Sequence, residues 1–72
     1  MSPEKLVRMA NQIATFFDSQ KGEDAAEKTA QHLRDFWDPR MRAELSRALE
    51  AGEADGLSPT ARAAAERLEM AA

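Results

Sequence analysis

FWDPRMR, residues Phe36 to Arg42, decides how this chain is divided. It sets the only tryptophan beside a phenylalanine, follows them with Asp38-Pro39, and closes with two arginines around Met41. Aspartate before proline is a helix-start device. The aspartate oxygen accepts one of the orphan backbone N–H groups of a first turn. Proline at the first helical position gives up an N–H that would have had no partner there. The proline also pushes Asp38 away from helical angles. One helix therefore ends at about Trp37, and another begins at Pro39. The same device recurs as Ser2-Pro3 and Ser58-Pro59, while Gly22, Gly52 and Gly56 mark breaks.

These marks predict helices over about 3–19, 24–37, 39–51 and 59–70. In the first, Leu6, Met9, Ala10, Ile13, Phe16 and Phe17 recur at spacings of three and four and share one face. Ala26, Ala30, Leu33 and Trp37 form the stripe of the second, with Phe36 beside it. Met41, Leu45, Ala48 and Leu49 form that of the third. Met9 and Met41 read as core filling. The last stripe, Ala61, Ala64, Ala65 and Leu68, offers little to bury on a segment of high helix propensity, so it reads as an exposed, fraying end. No segment alternates with period two. The expected fold is all-α: a single small bundle of three main helices plus a short C-terminal helix. The first two helices are expected to pack antiparallel across a short connection.

Composition narrows the function. A chain of 72 residues buries a thin core. With no cysteine and one histidine, it has neither disulfides nor a Cys/His zinc site. A net charge of −3 argues against a nucleic-acid partner. No apolar run is long enough to span a membrane, and charges at Glu4, Lys5 and Arg8 interrupt any export signal, so the expected location is the cytoplasm.

No catalytic constellation is present. A nucleophile needs a base within reach, and His32 alone could serve. It sits at the edge of a helical stripe, where a surface or boundary role fits it better. Glu23-Asp24 and Glu66 with Glu69 lie on polar faces, and the glycines make no phosphate loop. No catalytic, cofactor-binding or metal residue is expected in this chain.

Recognition remains. Adjacent helical residues point about 100° apart, so Phe36 and Trp37 cannot face one thin core equally, nor can Phe16 and Phe17. One of each pair belongs at an edge, and uncovered aromatic surface marks interfaces. Arg40 and Arg42 lie in a first turn, where the helix dipole disfavours cations; a carboxylate on a partner, or Asp35, would hold them.

Three stretches, KLVRMANQIATFF (Lys5 to Phe17), HLRDFWDPRMR (His32 to Arg42) and GLSP (Gly56 to Pro59), resemble the delta subunit of cytoplasmic NAD-dependent, molybdenum-containing formate dehydrogenases. The resemblance runs from about Ser2 to Leu68. It implies a non-catalytic accessory subunit that docks on a larger subunit, the catalytic alpha subunit first among them, to support assembly or stability. The molybdenum cofactor, iron–sulfur clusters, FMN and NAD are implied for those partner subunits and not for this chain. By matching motif positions, partner binding is expected of Arg8, Asn11, Gln12, Phe36, Trp37, Asp38, Pro39, Arg40 and Arg42. On this reading, Trp37→Ala or Arg40→Glu lowers the yield of complex without unfolding the domain. Two other readings compete. One is a transient chaperone for loading the molybdenum cofactor. The other is a regulatory subunit that binds a nucleotide or anion at Arg40 and Arg42.

Overall fold

The computed structural model describes residues 2–20 and 24–70. Four helices follow in order: α1 (Pro3–Asp18), α2 (Ala25–Phe36), α3 (Pro39–Glu50) and α4 (Pro59–Met70), with no strand among the described residues. The all-α expectation holds. The expected break at Gly22 lies outside the described residues.

The three residue-plus-proline devices act as caps. Ser2 Oγ accepts from Lys5 N at 3.3 Å, Asp38 Oδ1 from Met41 N at 2.8 Å, and Ser58 Oγ from Ala61 N at 3.2 Å. Asp24 caps α2 in the same way, its Oδ1 accepting from Glu27 N at 3.1 Å. Ser19, Trp37 and Ala51 are C-caps, which is why the helices end just short of the expected limits. Beyond α3 the chain reverses through Gly52, at φ +75°. Gly52 N donates to Leu49 O at 3.3 Å and Glu53 N to Ala48 O at 2.8 Å. That pair of bonds is the Schellman motif, which needs a left-handed residue here, and only glycine adopts one without strain.

Leu6, Ala10, Ala14, Leu33, Leu45 and Ala48 form the centre of one contiguous core, with Met9, Ile13, Met41 and Leu49 packed against it. The expected stripes supply most of these residues. They omit Ala14, as well as Ala54 and Leu57, which the loop between α3 and α4 folds inward.

The last helix overturns its expectation. Ala61, Ala64 and Ala65 are fully buried, and α4 touches each of the other three helices, α2 most extensively. Alanine brings little apolar area, but its small side chain lets backbones approach closely, so a poor stripe here marks a seam and not a free end. Arg67 of α4 reaches Asp24 Oδ2 at 3.1 Å and Glu27 Oε1 at 3.2 Å, joining the end of α4 to the start of α2. The Asp24 carboxyl is held below its ordinary range, first by the capping N–H of Glu27 and then by the Arg67 guanidinium.

The aromatic pair at the end of α2 divides. Phe36 closes the helix, 74% exposed, while Trp37 is 6% exposed and belongs to the core. Trp37 has already left the helix, at ψ 138°, and this extended turn swings its ring inward. The expectation that one of the two lies at an edge is met by Phe36. The expectation that Trp37 offers its ring to a partner is corrected, because the ring fills the interior.

Candidate docking surface

The second aromatic pair behaves similarly. Phe17 is half-buried between α1 and α2, while Phe16 is 59% exposed and stands outside the stripe to which its spacing assigned it. The two rings meet edge to face, with centroids 5.2 Å apart. Phe17 lies 6.2 Å from the His32 ring, and His32 lies 4.6 Å from Phe36. An aromatic row therefore runs from the end of α1 across to the end of α2. Under it opens a groove of about 280 Å³, lined by Gln12, Ile13, Phe16, Phe17 and His32. Its walls are almost wholly apolar.

The expected site residues fall into distinct places. Gln12 lines the groove, and Phe36 stands beside His32 at the far end of the row. Arg8 is exposed one turn before Gln12 on the same ridge of α1. Arg40 and Pro39 are exposed at the start of α3. Arg42 is half-buried, with its Nε enclosed and without a hydrogen-bond partner. Asp38 is occupied in capping. Asp35, expected beside the arginines, accepts from Gln31 Nε2 at 2.9 Å. Ile13, Phe16, Phe17 and His32 were not among the expected site residues. The available signal was the four-residue spacing of His32 and Phe36, which places both rings on one side of α2.

Asn11 requires a correction. Its Nδ2 donates to Gly56 O at 2.9 Å, and its Oδ1 accepts from Ser58 N at 2.8 Å. The amide braces the α3–α4 loop against α1 and is not presented to a partner. Asn11→Ala is expected to cost about 1–3 kcal/mol, since the part-buried Ser58 N–H loses its acceptor. Asn11→Asp keeps that acceptor but turns a carboxylate oxygen toward Gly56 O in place of the donor, so it should protect the Ser58 N–H without restoring full stability. Thermal melts and hydrogen exchange at Ser58 check both; unchanged exchange in Asn11→Ala would contradict the brace.

Among the described residues, no group of three or more His, Cys, Asp or Glu side chains could hold a metal ion, and no helix is long and apolar enough to cross a membrane.

A protein-family model described as "NADH-dependant formate dehydrogenase delta subunit FdsD" matches residues 5–65. This chain belongs to that family. The match contains the groove, the aromatic row and the FWDPRMR stretch, and it stops within α4. No curated protein and no solved structure matches the chain. As a delta subunit, the chain has other formate dehydrogenase subunits as its partners.

Proposed function

We propose that this delta subunit is a non-catalytic accessory piece that docks on the catalytic alpha subunit and stabilises the assembled formate dehydrogenase. The observation that carries this reading is the uncovered aromatic face of α1 and α2. A domain with so thin a core gains by burying its large rings, yet Phe16 and Phe36 stay outside. A partner surface would cover them. In this reading the molybdenum cofactor, iron–sulfur clusters, FMN and NAD are held by the other subunits, and this chain contributes contact surface alone.

Co-expressing the tagged chain with the other subunits, followed by capture and native mass spectrometry, tests this. A fixed ratio of this chain to cofactor-loaded alpha subunit is expected, with the yield lowered by Arg40→Glu. Capture of only cofactor-free alpha subunit would make the chain a maturation chaperone instead. Capture without any alpha subunit would overturn the docking assignment.

A further inference from the structure

The groove between Phe16, Phe17 and His32 has a size and a charge setting that describe its occupant. Its roughly 280 Å³ lies just below the usual span of small-molecule sites, about 300–1,000 Å³, and suits one large side chain better than a cofactor. None of its lining residues is an acid, a lysine or an arginine. A charged group seated there would be desolvated without an ion partner, which is costly, so the inserted group is uncharged and apolar.

The approach along α1 has a different character. Lys5, Arg8, Gln12 and Phe16 follow one ridge at spacings of three and four. Within the first three turns of α1 the charged residues are Glu4, Lys5 and Arg8, a surplus of one positive charge along the helix itself on a chain whose net charge is −3. Glu53 and Asp55 lie in the loop that packs against Val7 and Asn11 on a neighbouring side of α1. The acid at the other end of α1, Asp18, accepts from Thr60 Oγ1 at 2.6 Å, and Asp35 on the α2 side accepts from Gln31. Along α1 itself, the positive charge is thus confined to its first turns.

The geometry points to an acidic amphipathic segment of a larger formate dehydrogenase subunit as the occupant. One bulky apolar side chain of that segment seats between Phe16, Phe17 and His32, and a carboxylate about two helical turns away faces Lys5 and Arg8. This rests on the accessory-subunit reading and names the contact through which it acts. Phe16 and Phe36 are the apolar anchors, and Arg8 sets the direction in which the segment lies.

Placing a photo-crosslinking phenylalanine analogue at Phe16 in the co-expressed complex tests the proposal directly. Mass spectrometry of the adduct is expected to return a peptide of a larger subunit that pairs a Leu, Ile, Met or Phe with nearby Asp or Glu. In parallel, Phe16→Ser and Phe36→Ser are each expected to weaken capture of that subunit about tenfold or more, the range of interface anchors. Arg8→Glu should weaken it several-fold at low salt and less at high salt, where charge is screened. All three positions are exposed, so melting curves of the free variants should match the parent and separate lost docking from lost folding. An adduct with a second copy of this chain, an adduct with a basic peptide, or an intact complex that is indifferent to both serine variants would overturn the proposal while leaving the accessory role standing. Failure of the parent chain to capture any larger subunit would overturn both.

Discussion

Trp37→Ala is expected to remove a large share of the free domain's stability. The ring is 6% exposed and lies in one cluster with Leu6, Leu33, Leu45 and Leu57. Truncating a buried tryptophan costs about 3–5 kcal/mol, from lost transfer energy and the cavity left behind. A chain of this length has a total stability on the order of 4–10 kcal/mol. The loss is therefore about a third of the whole or more. A melting temperature about 12–40 °C lower follows for a domain of this size. Phe36→Ala, one residue earlier, should stay within about 0.5 kcal/mol of the parent, because its ring is already in solvent. Circular dichroism melts of the two variants read the contrast. Equal melting temperatures would mean that Trp37 is not a core residue. A loss of complex in Trp37→Ala thus reports on folding, and docking must be tested at Phe16, Phe36 and Arg8.

The second large effect is expected at Ala65, which is fully buried in α4. Ala65→Leu hardly changes helix propensity. Were α4 exposed, the substitution would be silent. At a buried seam the extra carbons have nowhere to go, and overpacking of this kind costs about 1–3 kcal/mol, mostly by prising neighbouring helices apart. Glu66→Leu, on the exposed side of the same helix, is the matched control. The two melts should separate by about 4 °C or more per kcal/mol of difference. A neutral Ala65→Leu would return α4 to the periphery.

These two sites also show what the sequence could and could not disclose. Helix starts were legible because each depends on residues within one turn: Ser2, Asp38 and Ser58 find their N–H partners three positions on. The stop at Gly52 was legible for the same reason. Burial of α4 was not, because alanine serves an exposed helix and a tight seam equally well, and the choice is made by the other three helices. Asn11 was misread since its partners lie 45 and 47 residues away, beyond any local pattern. The doubled aromatics were a true sign that one ring of each pair lies out. Which one depended on where α2 stops: ending it one residue early sends Trp37 inward and leaves Phe36 outside.

The seam made by α4 sets the order of events during synthesis. Translation delivers the chain from α1 onward, and domains ordinarily fold as units as they emerge. Both α1 and α4 touch all the other helices, and α4 follows the other three in the chain. Until it emerges, α1, α2 and α3 have no Ala61, Ala64 and Ala65 to close against, and their apolar faces remain open. The nascent chain therefore holds an unfinished bundle until α4 emerges, and only then completes its core. That interval, and not the finished fold, is when the chain is most vulnerable to proteases and to adhesion with its neighbours.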